Sequence, residues 1–309
     1  MTGVPQSQSQ TQTQTQGPVR VPSDRWRLQV VHRTQFRYGG PVRSSYNEAR
    51  MTPSVNATQT VWSSRLSIEP AAWSINYTDY WGTAVTTFEV HERHSRLTVR
   101  SQAVVETRGD GLAWDTDRRV PASDLGWAAL QDRGVTDSMS EFLTVNERTT
   151  APDELLELAR GVSNQAPRLA GLDVCRLVAD RLSYRRWSTQ VTSTAREVWA
   201  GGSGVCQDYS HVALGALRSI GLPARYVSGY LFPSEGVIPN ATVEGESHSW
   251  VEWWCGSWVG YDPTQRQRLS EHYVRVGHGR DYGDVAPLRG TYSGGASDMF
   301  VTVEMTQLG

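Results

Sequence analysis

The sequence contains few cysteines, no long apolar run and no excess of basic residues, and each shortage excludes a class of protein. Three cysteines in 309 residues are too few, and odd in number, for a disulfide framework, and they suit a reducing cytoplasm. No apolar run approaches the roughly 20 residues that a membrane span needs. A formal net charge of -2 gives no electrostatic support for a nucleic-acid partner. We therefore expect neither a membrane nor a nucleic acid as partner.

The N-terminal segment is polar and repetitive. Residues 1–24 are rich in Gln, Thr and Ser, and they lack both the basic and the apolar region of a secretory signal. Such a tract has little to bury in a core. We expect it to be a disordered tail on a cytoplasmic protein.

The next part of the chain has the pattern of an antiparallel β domain. Polar and apolar residues alternate from Arg25 to Tyr38, and shorter alternating stretches follow, with turn residues between them. We place this N-terminal β domain at residues 25–108. Residues 109–149 mix Gly, Asp and Pro with short apolar pieces, and we interpret them as a connecting segment.

The remaining chain, residues 150–309, changes to helical spacing and then returns to strands. Three helical patterns come first, and the second carries Cys175 on its apolar stripe, which predicts a buried, inert thiol. Three strand patterns follow, "PARYVSGYL", "HSWVEWWC" and "SWVGYDPT". This order predicts an α+β fold in which the helices pack on an antiparallel sheet.

One cysteine stands at a helix N-terminus. In "GGSGVCQDYSHVALGALRSIG" the apolar residues recur at three- and four-residue steps, and Cys206 occupies the first turn of that helix. The positive end of the helix dipole lowers the pKa of a thiol, and only the thiolate is a nucleophile. The preceding glycines would allow a substrate to approach closely, because they have no Cβ. Cys206 is therefore the candidate nucleophile.

A histidine and an aspartate can meet on a neighbouring hairpin. If Trp254 pairs with Trp258 around a tight turn, then Trp250 pairs with Asp262, and His248 becomes a diagonal neighbour of Asp262 on the same face. The carboxylate can then accept the imidazole N–H and stabilise the imidazolium. A slip of one residue would place Asp262 on the opposite face. The expected triad is Cys206, His248 and Asp262.

These motifs together resemble the transglutaminase-like superfamily, whose core is a variant of the papain-like cysteine protease fold. The similarity rests on "GSGVCQDYSHVALGALRSIGLPARYVSGYL", "ESHSWVEWW" and "WVGYDPT", in this order, and the region before them resembles the N-terminal β domain of bacterial members in "YGGPVRSSYNEARMTP" and "DYWG". The resemblance implies an N-terminal β domain followed by a core with the nucleophile at a helix N-terminus. It also implies acyl transfer through a thioester of Cys206.

The expected activity is hydrolysis of an amide bond in a peptide or protein substrate, with transfer of the acyl group to an amine, as in protein cross-linking, as the alternative. Aromatic walls that exclude water favour transfer, and Tyr209, Trp250 and Trp258 are the candidate substrate-binding residues. No acidic calcium loop of the Asp-x-Asp type is evident, so we expect no metal and no other cofactor.

Other classes of protein stay open at this point. A structural zinc site could use Cys206, His211, His248 and Cys255, although neither pair has a familiar spacing. A non-catalytic binding module on the same scaffold is a further alternative. Three more residues have undecided roles, because each could line the site or be purely structural: Glu252, Arg280 and Asp281.

Overall fold

The structure is a computed structural model that describes residues 25–109, 120–233 and 240–308. The predicted tail at residues 1–24 lies outside the described residues, as does part of the predicted connecting segment. Within the described ranges, no helix is both long and apolar enough to cross a membrane.

A two-sheet β sandwich occupies the N-terminal part of the chain. Alternate residues of its first strand are buried, as the sequence pattern predicts, because one face of the strand packs on the core. The strands are β1 Arg25–Val42, β2 Ser45–Ala49, β3 Gln59–Glu69, β4 Trp73–Thr78, β5 Ala84–Val90 and β6 His94–Arg108.

The second half is an α+β unit in which helices cover one face of a sheet. The helices are α1 Trp127–Leu130, α2 Arg133–Ser138, α3 Ser140–Leu143, a 3-10 turn Glu147–Thr149, α4 Asp153–Val162, α5 Pro167–Arg181, α6 Ala195–Gly201, α7 Cys206–Ser219 and α8 Tyr282–Val285. The strands are β7 Ser183–Tyr184, β8 Ser203–Gly204, β9 Ala224–Leu231, β10 Thr242–Glu244, β11 Glu246–Trp254, β12 Trp258–Asp262, β13 Gln267–Arg268, β14 Tyr273–Gly279, β15 Leu288–Tyr292 and β16 Ser297–Gln307.

Three sheets define the topology of the described residues, together with a short parallel pair, β7 and β8. The sandwich consists of sheets ordered β10-β16-β1-β6-β3 and β15-β2-β5-β4, and the core sheet is ordered β13-β12-β11-β9-β14. All strand pairs in these three sheets are antiparallel. The α+β fold class is thus confirmed, and α7 is buried along nearly its whole length against strands β9 and β11.

The C-terminal strands differ from the predicted domain division. The sequence predicts a core with a C-terminal extension over residues 150–309, whereas in the structure β15 pairs with β2 and β16 pairs with β1, with Leu28 opposite Gln307. The pattern of β16 explains this, because Val303 and Met305 are buried while Thr302 and Glu304 are exposed. Pairing with β1 also satisfies backbone groups that an open edge would leave free. The chain therefore closes its first β domain with its last residues.

A shared apolar core joins the sandwich to the core sheet. Its buried residues come from strands on both sides, and they exclude water from the whole interface. The members are Leu28, Val30, Ala103, Val105, Tyr230, Phe232, Val274, Val276, Val303 and Met305.

A buried ion pair lies at the same interface. Glu252 is only 5% exposed, and its carboxylate accepts hydrogen bonds from Arg225 at 2.8 Å and from Arg275 at 3.1 Å. Burial opposes ionisation, but the two guanidinium groups outweigh it and lower the pKa of Glu252 to about 2. The Gln59 side chain, from the sandwich, donates to the Arg275 carbonyl at 2.8 Å and accepts the Arg275 N–H at 2.8 Å. Glu252 is therefore neither a solvated carboxylate nor part of the site around Cys206.

This ion pair generates a stability prediction. Glu252→Gln leaves two buried cations without their counter-charge, so we expect a loss of about 3–5 kcal/mol in the free energy of unfolding at pH 7. The lowered pKa means that the wild-type carboxylate stabilises the fold above about pH 4.5 and that this contribution fades as the pH falls towards 2. Chemical denaturation at pH 7 and pH 3 checks both points, with the exposed Glu157→Gln as control. Equal losses in the two variants would contradict the prediction.

Candidate active site

The candidate nucleophile is the first residue of the buried helix α7. The helix begins at Cys206, as the sequence predicts, with Val205 as N-cap, and the thiol is partly exposed. The carboxylate of Asp208 accepts the Val205 N–H at 2.8 Å and the Thr189 hydroxyl at 2.6 Å. These contacts fix the first turn of the helix and hold Cys206 at its positive end.

The glycines before the helix have a structural role. Gly202 has a φ of 65° and ends helix α6 in the left-handed conformation. A Cβ on Gly204 would lie 2.7 Å from the Asp208 side chain, so only glycine fits there. Gly204 therefore makes room for the capping carboxylate, and Gly202 ends the preceding helix, so both have a structural reason to be glycine.

His248 and Asp262 meet in the predicted geometry. Strands β11 and β12 pair in the expected register, with Trp254 opposite Trp258. The His248 Nε2 then lies 2.6 Å from the Asp262 Oδ2, and the two residues are 4% and 0% exposed. Such a charged hydrogen bond in a dry interior fixes the orientation of the ring.

The Asp262 carboxylate has three further hydrogen-bond donors. Its Oδ1 accepts the backbone N–H groups of Thr264 at 2.8 Å and Gln265 at 3.1 Å, and its Oδ2 accepts the Tyr273 hydroxyl at 2.7 Å. Sequence reasoning missed Tyr273, because β14 reaches the site by pairing with β9, a partner that no local pattern shows. The tyrosine is a positioning residue for Asp262.

The electrostatics of the site favour a charged imidazole. Burial disfavours protonation of His248, but the charges and hydrogen bonds of Asp262 and Cys206 outweigh it and raise the pKa of His248 well above its usual range. Nε2 is engaged by Asp262, and Nδ1 makes no hydrogen bond of standard geometry to any described residue. Nδ1 is thus the nitrogen left for the thiol.

A hydroxyl pair joins the helix of the nucleophile to the strand of the base. Ser210 on α7 and Ser249 on β11 are buried, with their Oγ atoms 3.2 Å apart. Ser210 follows Cys206 by four residues and Ser249 follows His248 directly, so this contact helps to fix the position of α7 relative to β11. The pattern of small hydroxyl residues gave no signal of it in the sequence.

Three tyrosines surround the thiol. Burial is the larger cause that raises the pKa of all three, Tyr184, Tyr226 and Tyr282, and the negative charge of a Cys206 thiolate is a smaller one. Their hydroxyls therefore stay protonated at neutral pH.

A groove of about 420 Å³ borders the candidate nucleophile. Val205 and Gln207, on either side of Cys206, line it, and so do Glu246 and Ser247, which precede His248. The loop after β7 and the last strand of the sandwich complete the walls; their lining residues are Tyr184, Arg186, Trp187, Thr189, Gln190, Val191, Val301, Thr302 and Val303.

The three residues expected to bind substrate do not line this groove. Tyr209 packs in the core, with its hydroxyl donating to the Leu182 carbonyl at 2.8 Å, because its position on α7 points inward. Trp250 and Trp258 line a separate cavity of about 300 Å³ beside Glu252. Their role in binding substrate therefore stays a prediction, and the groove beside Cys206 offers no support for it.

The other cysteines are buried. Cys175 is fully buried, as predicted, and burial raises its pKa above the usual range. Burial also raises the pKa of Cys255, to about 12. In the parts of the chain that the structure describes, no three His, Cys, Asp or Glu side chains are grouped as metal ligands, so the residues of the zinc alternative are not brought together.

The "GRDY" segment is structural. Arg280 pairs with Asp284 at 3.0 Å, and Asp281 caps helix α8 through the Gly283 N–H. The buried Arg218 on α7 donates to the Arg280 carbonyl at 2.6 Å and to the carbonyls of Phe142, Thr144 and Ala224. This network connects the C-terminal end of α7 to residues 142–144 of the connecting segment. The contacts of Arg280 and Asp281 are thus structural ones, to Asp284 and to the start of α8.

Comparisons with known proteins agree with this architecture. Residues 28–106 match the bacterial transglutaminase-like N-terminal region, and residues 156–263 match the transglutaminase-like superfamily. An uncharacterized protein of Mycobacterium leprae is 42% identical over 285 residues, covering 92% of this chain and 99% of its own length. An uncharacterized protein of Mycobacterium tuberculosis is 33% identical over 281 residues, covering 85% of this chain and 87% of its own length.

A solved structure shares the fold. It is described as "a Putative Cysteine Protease from Cytophaga hutchinsonii", and it superposes with a TM-score of 0.73 at 18% identity, covering 93% of this chain and 92% of its own. Two matched regions, relatives along nearly the whole chain and a common fold lead to one assignment. The chain belongs to the transglutaminase-like superfamily and carries the N-terminal region of its bacterial members.

Proposed function

We propose that this protein is a cysteine hydrolase that cleaves an amide bond in a peptide or protein substrate through a thioester on Cys206. The observation that carries the proposal is the buried His248–Asp262 hydrogen bond beside a partly exposed thiol at the first residue of a helix. A nucleophile, a base and a group that orients the base are the parts that such chemistry needs.

Acylation begins from a Cys206 thiolate beside the His248 imidazolium. The Cys206 thiolate attacks the amide carbonyl carbon, and a carbon–sulfur bond forms. The tetrahedral oxyanion accepts the backbone N–H of Cys206, because the first N–H groups of a helix have no acceptor within the helix. The carbon–nitrogen bond then breaks, and the amine leaves with the proton from His248 Nδ1.

Deacylation returns the enzyme to its starting state. The neutral imidazole of His248 takes a proton from a water molecule, whose oxygen attacks the thioester carbon. The carbon–sulfur bond breaks, a carboxylic acid is released, and the thiolate–imidazolium pair is restored. Asp262 remains ionised and stabilises the imidazolium throughout.

The surroundings of the thiol favour water over an amine as the acceptor. Transfer to an amine needs a site that keeps water out until the amine arrives. Trp250 and Trp258, the expected aromatic walls, line a different cavity, and the groove beside Cys206 mixes the polar residues Thr189, Gln190, Gln207 and Ser247 with apolar ones, Trp187, Val301 and Val303 among them. Polar residues along the wall admit water to the thioester, and amine transfer is then the minor reaction.

The roles assigned to Cys206 and Cys175 give opposite expectations. We expect Cys206→Ala to lower turnover by at least about 10³-fold with little change in melting temperature, because the thiol lies at a partly exposed helix end. Cys175→Ala should keep the activity and lose about 1 kcal/mol or more of stability, since that thiol is fully buried. Casein hydrolysis and thermal melts of both variants check this. Retained activity in the first variant would refute the nucleophile.

The pH profile tests the role of Asp262. Asp262→Asn removes the charge that helps to raise the pKa of His248, so the imidazolium loses its proton at a lower pH. We expect the alkaline limb of kcat/KM to move to lower pH and the rate at pH 7 to fall about 10²–10⁴-fold. Tyr273→Phe, which removes one hydrogen-bond donor to the same carboxylate, is the milder comparison. Its alkaline limb should stay closer to the wild-type pH. An unshifted limb in Asp262→Asn would contradict the proposed pair.

Product partition distinguishes hydrolysis from transfer. A labelled primary amine is supplied with the acyl substrate, and acid and amide products are quantified together. We expect acid to dominate at modest amine concentrations, because water reaches the thioester. If the amide product dominates instead, the protein is a transferase.

A further inference from the structure

The groove at Cys206 is bounded on one side by a strand of the β sandwich. Val301, Thr302 and Val303 of β16 line it, together with Val205 and Gln207, which flank Cys206. The sandwich therefore contributes directly to the surface that a substrate must cross to reach the thiol. This makes β16 a candidate for substrate recognition.

Strand β16 is paired along its whole length on one side only. It pairs with β1 from Ser297 to Gln307. On the other side β10 covers only Glu304 to Thr306, and the next contact is the Gly245 N–H, which donates to the Val303 carbonyl at 2.9 Å. Among the described residues, no strand pairs with residues 297–302 on that side.

The hydrogen bonds at the paired end of β16 show which backbone groups point to its free edge. In an antiparallel strand the N–H and C=O of one residue point to the same side, and this side alternates along the chain. The Val303 carbonyl accepts from Gly245 and the Gln307 carbonyl from Asn240, so the odd-numbered residues face the β10 side. The N–H and C=O groups of Met299 and Val301 therefore point to the open edge.

The side chains at the free edge are apolar and exposed. Met299, Phe300 and Val301 are 58%, 47% and 45% exposed. Proteins usually protect an edge strand with lysine, proline or a bulge, because such an edge pairs readily with another chain. Across the groove the Trp187 side chain is 96% exposed. An edge of this composition beside a nucleophile suits an extended, partly apolar peptide.

We propose that the free edge of β16, residues 297–302, binds substrate as an added β-strand and leads its backbone along the groove to Cys206. The substrates are then extended or unfolded polypeptide segments, recognised chiefly through their main chain. The six residues 297–302 span about 20 Å, enough to hold a segment of about six residues. The proposal rests on the proposed hydrolase function, since it concerns the same site.

The test removes one hydrogen-bond donor from the edge. Val301→Pro deletes the N–H that points to the open edge and leaves the pairing with β1 in place, a position that edge strands tolerate. Binding of fluorescein-labelled, carboxymethylated casein is measured by anisotropy in a Cys206→Ala background, so the result does not depend on turnover. We expect about tenfold weaker binding for Val301→Pro, from the lost hydrogen bond and the ring's clash with an added strand.

A matched control comes from another edge of the sandwich. Ser74 lies on β4, the edge strand of the second sheet. The Asp79 N–H donates to the Thr83 carbonyl, so the odd-numbered residues of β4 direct their backbone groups towards β5. By the same alternation, the N–H of Ser74 points to the open side. Ser74→Pro should bind casein like the parent. Equal binding by Val301→Pro and Ser74→Pro, or no binding of casein by the parent, would overturn the proposal.

Folding and function are separated by two further measurements. Melting temperature, together with the rate at which iodoacetamide alkylates Cys206 in a Val301→Pro variant that keeps the cysteine, shows whether Val301→Pro keeps its fold. If it does not, single N-methyl groups placed along a cleaved casein decapeptide test the wild type: inhibition at alternate positions supports an added strand, and uniform tolerance overturns it. Casein binding that depends on Val301 without thiol-dependent cleavage would refute the hydrolase alone.

Discussion

The buried hydrogen bond between Asp262 and His248 imposes the strictest requirement on this structure. A carboxylate that is fully buried is stable only if donors surround it, and here the imidazole, two backbone N–H groups and the Tyr273 hydroxyl do so. Strands β11, β12 and β14 must therefore keep their registers together. The same contact prepares the base, because the ring is oriented and its charged form is favoured.

The second requirement is that the sandwich and the catalytic sheet fold as one body. They share an apolar core, and beside it the Glu252 carboxylate bridges Arg225 and Arg275 while Gln59 binds the main chain of Arg275. Because the chain returns to β1 and β2 with its last two strands, neither part has a complete set of partners alone. The sandwich is consequently part of the groove wall, and substrate recognition is inferred to involve both parts.

The helix of the nucleophile is held at both ends. At its start Asp208 caps Val205, in space that Gly204 leaves open. At its end Arg218 donates to four carbonyls from three other segments. Fixed ends limit the movement of Cys206 relative to His248. This is the preorganisation that a thiol nucleophile requires, because its charge must form where the helix terminus and the imidazolium stabilise it.

Local periodicity and a short turn are enough to predict the α+β class, the start of helix α7 at Cys206 and the hairpin that brings His248 to Asp262. The support that Tyr273 gives to the carboxylate, and the return of the last strands to the sandwich, are visible only in the three-dimensional packing. Those contacts join residues far apart in the chain, and a strand pattern names no partner. Tyr209 illustrates the same limit: periodicity places it on the apolar face of α7, but only the packing shows that its hydroxyl reaches the Leu182 carbonyl.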